Sequence, residues 1–402
     1  MTLKFRAQIV VCACCIAALM PGALIFGFPG VLGPYWQKLF QVTRAEIGQI
    51  LFYVLAAVGI HMFVVGRLLE KTGPNRIMAM GAVLYGACAM LVGYATGIKW
   101  IYGWAFFTGA SSAFIYIPAM MVAQQWFPRR RGLVSGLVSM SFGIAGAAMA
   151  PVFSWLLQAL GYRSMTLFLG AGALVVGVAA AAFVRLPEAL PDPVPSAASD
   201  PPAQMPSLTV RQSLKTRSFW LLWFTYAFVG AAGIAMVTLA VPFGTARGLP
   251  LTRAIILLIS FNLTNGISRL VSGFLSDLMG RKIVMCVSFL AAGGAYFLLP
   301  FSADIITWSI LAAMVGFAFG TLFSVSAPYV SDCFGMAHFG SILGVVFTAF
   351  GFASGLLGPW LGGYLLDRYP GNFLLVFFYL GSLMIIAAVM IWVTTPHTEC
   401  SF

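Results

Sequence analysis

Apolar blocks of twenty or more residues recur along the whole chain, separated by short breaks that are charged or rich in glycine and proline. An α-helix rises about 1.5 Å per residue, so each block can cross the roughly 30 Å hydrocarbon core of a bilayer. Of the 402 residues, 61% are hydrophobic and only 8% are charged, whereas a soluble domain carries about 25% charged residues. The sequence therefore predicts an all-α polytopic membrane protein.

The blocks predict twelve transmembrane helices in two groups of six. The spans are 7–35, 46–69, 76–96, 99–126, 132–157, 164–185, 218–243, 253–278, 281–301, 304–332, 339–366 and 372–395. Between the groups, the residues are mainly Pro, Ser, Ala and Asp, a composition that cannot bury a core. We expect an N-terminal six-helix bundle (1–185), a cytosolic linker (186–217) and a C-terminal six-helix bundle (218–402).

The 22 lysines and arginines are distributed unevenly between the two sides of the predicted bundle. If the chain starts in the cytoplasm, fourteen of them fall on the cytoplasmic side, seven fall outside, and only Arg269 lies well within a span. The positive-inside rule then predicts a multi-pass protein of the cell (inner) membrane with both termini cytoplasmic. Topology accounts for the net charge of +12, and we expect no nucleic-acid partner.

The two halves repeat one another in the spacing of their glycines and acidic residues. The set after span 2 is Gly66, Glu70 and Gly73, and the set after span 8 is Gly273, Asp277 and Gly280. A second pair of sets is Gly132, Gly136, Gly143 and Pro151 in span 5, and Gly340, Gly344, Gly351 and Pro359 in span 11. Two halves of like topology place a pseudo-twofold axis along the membrane normal, with the solute site between them.

Several of these segments resemble known transporters. Gly66 to Arg76 and its echo from Gly273 to Lys282 resemble the loop motif of the major facilitator superfamily. The segment from Trp126 to Leu133 resembles the signature that opens helix 5 of monocarboxylate transporters, and so does Phe26 to Pro29 in span 1. Bacterial oxalate/formate antiporters share much of this pattern. The resemblance covers essentially the whole chain and implies the major facilitator fold.

In the two loop motifs, glycine allows close helix approach, and the acidic residue can cap a helix N-terminus and pair with Arg76 or Arg281. These residues would then form a gate. The predicted gate residues are Gly66, Glu70, Gly73, Arg76, Gly273, Asp277, Gly280 and Arg281. The alternative is that the charges are ordinary solvated loop residues.

Arg269 is the most informative single residue. It precedes Asp277 by two helical turns, so it lies about 12 Å in from the end of its span. A buried guanidinium is costly unless it is paired or lines a wet cavity. Its planar fork of donors suits a carboxylate, which predicts a small carboxylate as substrate. The polar residues on the same helical face are Asn262, Asn265, Ser272 and Ser276. The alternative is a structural salt bridge to Asp332 or Asp367.

The chain also differs from these two transporter families in two places. Monocarboxylate transporters carry an Asp, implicated in proton coupling, where this chain has Asn265, so that mechanism does not carry over intact. Oxalate/formate antiporters carry a second cation in helix 11, where this chain reads Val345 to Phe350. With one central cation, a monocarboxylate is favoured over oxalate.

Three further side chains are candidates for the central site. His61 should share a depth with Arg269 and titrates near neutral pH, so it is the candidate proton-coupling group; the alternative is a packed histidine. Tyr116 is central in span 4 and could reach a carboxylate. Tyr329 lies nearer the cytoplasm and is a weaker candidate for substrate binding.

No P-loop, HExxH or GxSxG motif is present, so we expect no enzymatic activity, no cofactor and no metal. The predicted function is secondary active transport of lactate- or pyruvate-like monocarboxylates by alternating access, with proton symport as the expectation from resemblance. One alternative is anion exchange of the oxalate/formate type, and another is a receptor that binds without transporting. The expected partners are the anion, the proton and the lipid bilayer, and we expect a monomer.

Overall fold

The structure, a computed structural model, describes residues 3–42, 44–187 and 207–395. Within these ranges almost every residue is helical and no β-strand occurs. In an apolar solvent each backbone N–H and C=O must be satisfied within the chain, and a helix achieves this within a single segment.

The first half contains helices α1 to α6. They are α1 (Leu3–Gly22 and Phe28–Phe40, joined by π-helical Ala23–Gly27), α2 (Arg44–Thr72), α3 (Pro74–Leu91, continued by a 3-10 turn at Val92–Tyr94) and α4 (Ile98–Trp126). A continuous helical segment, Arg131–Phe183, then provides both α5 (131–160) and α6 (162–183).

The second half contains helices α7 to α12. They are α7 (Arg217–Ala246), α8 (Leu251–Met279), α9 (Arg281–Leu298, continued by a 3-10 turn at Leu299–Phe301) and α10 (Ile305–Phe334). The last two are α11 (Phe339–Thr348 and Leu361–Arg368, with π-helical Ala349–Ser354 and Leu356–Trp360 between them) and α12 (Phe373–Val393).

Gly161 divides the 53-residue segment Arg131–Phe183. A straight helix of that length would extend about 80 Å, more than twice the hydrocarbon thickness. Gly161 has φ of 71°, a left-handed conformation that glycine adopts readily and that ends α5. With this division, the eleven long apolar helices of the described ranges become twelve spans, and the predicted fold class is confirmed. The first span is longer than predicted, because α1 extends over both ends of 7–35.

The connection between α6 and α7 is described only at its ends. Residues 188–206, which make up most of the predicted linker, lie outside the described residues. Near its end, Leu208 N donates to Phe334 O at 2.9 Å, and a short helix, Val210–Ser213, starts at a capping box between Thr209 and Gln212. This end of the connection therefore packs on the loop between α10 and α11. The domain boundaries themselves stay a prediction.

Because there are twelve spans, the described chain ends and the α6–α7 connection share one side of the bundle, which we call the terminal face. The two halves pack together near this face, α2 on α11 and α5 on α8. A Cβ at Gly66 would lie 2.3 Å from Gly340 O, and a Cβ at Gly273 would lie 2.4 Å from Gly132 O. Small residues are what such close contacts between membrane helices require.

The seam between α5 and α8 is closed on the terminal side of Arg269 and open beyond it. On α5, the face that packs on α8 at Gly136 becomes exposed at Ala147 and Pro151. On α8, a Cβ at Gly266 would have no atom within 4 Å. The helices therefore diverge toward the opposite face, and Arg269 lies at the closed end of the cleft.

Candidate functional site

Arg269 of α8 reaches across the seam into the first half. Its residue exposure is 4%. Nη1 donates to both Ser139 O at 3.0 Å and Ser139 Oγ at 3.2 Å on α5, and Nε donates to Asn265 Oδ1 at 3.4 Å. Nη2 donates to no described residue. A guanidinium has five N–H donors, so part of its donor capacity stays available to a ligand.

No carboxylate among the described residues lies within salt-bridge distance of Arg269. Of the two partners that the sequence left open, Asp332 pairs instead with Arg281 and Arg131, and Asp367 forms no ion pair with Arg269. The guanidinium is instead stacked over the Phe323 ring, 4.9 Å from its centroid. A buried cation held only by neutral groups and an aromatic ring retains its positive potential, so it attracts an anion.

Glycines of α5 make room for Arg269. A Cβ at Gly136 would lie 2.4 Å from Arg269 O, and one at Gly143 would lie 2.9 Å from Arg269 Cζ. Both distances are shorter than van der Waals contact, so any other residue would displace α8 or the guanidinium. The glycine repeat of span 5 therefore determines how deeply Arg269 enters the first half.

Tyr116 of α4 belongs to the same site. Its hydroxyl lies 3.4 Å from Ser139 Oγ and 3.3 Å from Phe323 O, the carbonyl to which it can donate. Ser139 thus contacts both Tyr116 and Arg269, and Tyr116 bridges to α10. The structure brings together three predicted site residues, Arg269, Asn265 and Tyr116, at the boundary between the halves.

Aromatic rings enclose this polar group, and we call them the aromatic cluster. Its members are Tyr116, Phe142, Tyr226, Phe323 and Phe347, on α4, α5, α7, α10 and α11. The Phe347 ring lies 5.8 Å from Tyr116, 5.2 Å from Tyr226 and 6.2 Å from Phe323. These distances are typical of packed aromatic pairs. The cluster makes the surroundings of Arg269 apolar except for a few hydroxyls.

Asn262 and Tyr329 lie apart from this group. Asn262 is exposed, two turns along α8 from Arg269 toward the open end of the cleft. Tyr329 is buried, and its hydroxyl donates to Thr394 O at 3.3 Å, at the end of α12. Asn262 can line the entry to the site, whereas Tyr329 packs near the terminal face.

His61 lies on the side of α2 that faces α4. Its ring packs edge-on against Phe106, with centroids 5.5 Å apart, and Nδ1 lies 2.9 Å from Ala57 O. A carbonyl can only accept, so Nδ1 carries the hydrogen and Nε2 is the nitrogen that can take up a proton. No direct contact joins His61 to Arg269.

The acidic residue of the second loop motif closes the α5–α8 seam. Asp277 accepts from the first-turn amides of α5, at 2.9 Å from Gly132 N and 2.8 Å from Leu133 N. These amides have no partner within their own helix, and a carboxylate there also interacts favourably with the helix dipole. Arg281 Nη1 lies 3.0 Å from Asp277 Oδ1, and Arg281 Nε contacts Asp332. The seam thus carries a charged network.

The first loop motif closes the α2–α11 seam differently. Glu70 accepts from Ser341 Oγ at 2.7 Å and lies 3.2 Å from His338 Nδ1, at the start of α11. The predicted pairing of Glu70 with Arg76 is not formed, and Arg76 is exposed. The reason is local: Pro74 occupies the first position of α3, where α9 has Arg281, so the arginine comes two residues later. Gly73 and Gly280 both have positive φ, 81° and 92°.

The chain is similar to known proteins over most of its length. The model of the Major Facilitator Superfamily matches residues 14–261 and, in a second match, 248–399. An oxalate:formate antiporter from Oxalobacter formigenes is 26% identical over 309 residues, covering 76% of this chain and 72% of the antiporter. Monocarboxylate transporter 13 from Rattus norvegicus is 25% identical over 388 residues, covering 95% and 88% respectively. The solved structure of the fucose:proton symporter FucP from E. coli has a TM-score of 0.72 at 16% identity, covering 98% of this chain and 100% of FucP.

Proposed function

The family match spans most of the chain, so the chain belongs to the Major Facilitator Superfamily, and we propose that it carries small monocarboxylates, lactate- or pyruvate-like, together with a proton by alternating access. The observation that carries the proposal is Arg269: a buried guanidinium, with no carboxylate partner among the described residues, between the two halves. A substrate carboxylate would supply the missing negative charge.

The two relatives support a carboxylate. One is named an oxalate:formate antiporter and the other a monocarboxylate transporter. Both names describe small carboxylates, and Arg269 is the group here that fits that chemistry. Because the aromatic cluster contributes no second cation, the charge balance favours one carboxylate over two.

Alternating access would act on the seams between the halves. Opening at the terminal face requires α5 to leave α8, which breaks the bonds from Gly132 N and Leu133 N to Asp277. The same movement separates Arg269 from Ser139. A bound carboxylate would replace the hydrogen bonds that the guanidinium loses when it separates from Ser139. Substrate binding would therefore favour the opening of the terminal face. We propose that the protein acts as a monomer in the cell (inner) membrane and that its terminal face lies on the cytoplasmic side.

Proteoliposome uptake tests the function directly. Labelled lactate, pyruvate, acetate, formate and oxalate would be offered with and without an imposed pH gradient. The proposal expects uptake of lactate and pyruvate that follows the gradient. Uptake that instead requires an anion loaded on the other side would establish exchange of the oxalate/formate type. Binding without uptake would establish a receptor.

Charge selectivity should change when a second cation is added to the aromatic cluster. Phe347 lies between Tyr116 and Tyr226, whereas its neighbour Val346 is fully buried outside this ring contact. Phe347→Lys should therefore improve competition by oxalate relative to lactate by about tenfold, which is the effect of one added charge interaction worth about 1.4 kcal/mol. Oxalate and lactate inhibition of labelled uptake would be compared in the same vesicles.

Val346→Lys is the matched control for Phe347→Lys. It adds the same charge one residue away, on a different side of α11. Its oxalate preference should stay at the wild-type value, and an unchanged preference in Phe347→Lys would remove the argument that the single cation determines charge selectivity.

Proton coupling is proposed to involve His61. His61→Gln removes the imidazole and should flatten the dependence of uptake on the pH gradient while leaving substrate binding measurable. His397→Gln, which changes a histidine beyond the last predicted span, is the control. Unchanged coupling in His61→Gln would leave a bound water or cotransport of the protonated acid as the proton carrier.

A further inference from the structure

We infer that Tyr226 determines substrate specificity, because its hydroxyl contacts an oxygen on the carbon next to the substrate carboxylate. The inference rests on the proposed carboxylate transport. It assigns to α7 a role in recognising 2-hydroxy and 2-oxo acids.

The first observation is an unpaired buried hydroxyl. Tyr226 has 0% exposure, and its hydroxyl makes no hydrogen bond to any described residue. Three other buried tyrosines donate to carbonyls: Tyr85 to Ala173 O at 3.0 Å, Tyr296 to Ala232 O at 2.6 Å, and Tyr329 to Thr394 O at 3.3 Å. A buried hydroxyl without a partner destabilises the fold, so its presence at this position needs an explanation.

The second observation is where Tyr226 lies. Its ring contacts Phe347 at 5.2 Å and Phe323 at 6.5 Å. The same Phe347 contacts Tyr116, and the same Phe323 lies under the Arg269 guanidinium. Through these two shared rings, Tyr226 is separated from Tyr116 and from Arg269 by a single aromatic side chain. It therefore borders the same space as the proposed carboxylate site, from the α7 side.

The third observation is that the backbone of Tyr226 is fixed. Ser354 Oγ on the π-helical segment of α11 lies 3.3 Å from Tyr226 O and 3.1 Å from Ala227 O, and it can donate its hydrogen to either carbonyl. This contact ties α7 to α11 about two turns from Phe347. The ring is therefore held in place by packing and by its main chain, although the hydroxyl itself is not.

Arg269 and Tyr226 offer a substrate two different kinds of hydrogen-bonding group. Arg269 suits the carboxylate because it is charged and has several donors. A tyrosine hydroxyl is neutral and can donate or accept, so it can bind either a 2-oxo oxygen or a 2-hydroxyl group. An acid that lacks this oxygen leaves Tyr226 unpaired. A site built to bind a substrate hydroxyl discriminates against the analogue without it.

Ser326 offers the competing explanation, in which Tyr226 is only a packing residue. Ser326 is within reach of the Tyr226 hydroxyl, but the two do not have hydrogen-bond geometry, and Ser326 Oγ donates to Leu322 O. If Tyr226 served only to contact Ser326, then Ser326→Ala should have the same effect on selectivity as removal of the Tyr226 hydroxyl.

The test compares two acids that differ by a single hydroxyl group. Uptake of labelled propionate into proteoliposomes would be inhibited by unlabelled lactate or by unlabelled propionate, and the ratio of the two inhibition constants would be measured. This ratio does not depend on the amount of protein. Tyr226→Phe should lower the preference for lactate about tenfold, the effect of one lost hydrogen bond. Tyr296→Phe and Ser326→Ala should leave the ratio within about twofold of wild type.

The outcomes separate the inference from the function on which it rests. Wild-type uptake with an unchanged ratio in Tyr226→Phe would overturn the inference alone. The same loss of preference in Ser326→Ala would also overturn it. Absence of any carboxylate uptake by the wild type would overturn the proposed function and this inference together. If Tyr226→Phe does not transport, inhibition of propionate binding to the purified protein gives the same ratio.

Discussion

Replacement of Arg269 by lysine is expected to reduce uptake of a small monocarboxylate about 100-fold, although the positive charge is kept. The guanidinium binds Ser139 through Nη1 and Asn265 through Nε and still has donors for a ligand. An ammonium is a point charge without this planar fork. Hydrogen bonds to charged groups contribute about 1.5–3 kcal/mol each, and about 2.7 kcal/mol corresponds to 100-fold.

Arg247→Lys is the matched control for Arg269→Lys. Arg247 follows the end of α7, and its Nη2 donates to Pro300 O at 2.6 Å, at the face opposite the terminal face. The same substitution there should leave uptake near wild type. Uptake by Arg269→Lys within a few-fold of wild type would count against Arg269 as the carboxylate-binding group.

The polar residues at the centre of the site could be predicted because a charged residue within an apolar block is rare and easily recognised in the sequence. Arg269 is such a charge, and the helical period then places Asn265 on the same face. The repeat also makes the glycines of α5 stand out in the sequence. What the repeat could not indicate is that Gly143 packs against the Arg269 side chain itself, because that contact joins two halves that are far apart in sequence.

The apolar part of the site could not be predicted. The chain has 35 phenylalanines and 13 tyrosines, so no single aromatic residue stands out. Tyr226, Phe142 and Phe323 meet only because α7, α5 and α10 converge, and each helix is hydrophobic on every side. Ser139 could not be identified as a site residue from the sequence either, since small polar residues are common within the spans. The π-helical segments of α1 and α11 likewise have no marker in the sequence.

The contacts of the two loop motifs also differ from the prediction in one half. Identical spacing suggested that Glu70 and Asp277 would have equivalent partners. Asp277 does bind the start of α5 and Arg281, whereas Glu70 binds Ser341 and is near His338. The pseudo-twofold relation fixes which helices meet, but the side chains at each seam are free to diverge.

Gly273→Ala should prevent the terminal face from closing and reduce uptake at least tenfold. Its Cβ would lie 2.4 Å from Gly132 O and 3.2 Å from Gly136 Cα. The three atoms nearest to it all belong to the backbone, so no side chain can turn away. The α5–α8 seam must therefore widen by about 1 Å to reach normal contact distance. That movement stretches the bonds from Asp277 to Gly132 N and Leu133 N. A transporter that cannot close one side cannot complete its cycle.

A cysteine in the seam can report this opening independently of uptake. Ser276 is 2% exposed and lies one turn from Gly273. In the single variant Ser276→Cys, a maleimide that does not cross membranes should react slowly. In Ser276→Cys with Gly273→Ala, it should react at least tenfold faster from the terminal face, read by the mass of the labelled peptide. Because the shift in rate reflects the population of the open state, it measures how far the substitution moves that equilibrium.

Gly294→Ala on α9 distinguishes a blocked seam from a general effect of changing a helical glycine. A Cβ there would have no atom within 4 Å, and alanine is the better helix former. This variant should keep normal uptake and leave labelling at position 276 unchanged. If Gly273→Ala behaved like Gly294→Ala in both measurements, the two halves would have to move apart by some route other than the α5–α8 seam, and the Gly132–Gly273 contact would be packing without a gating role.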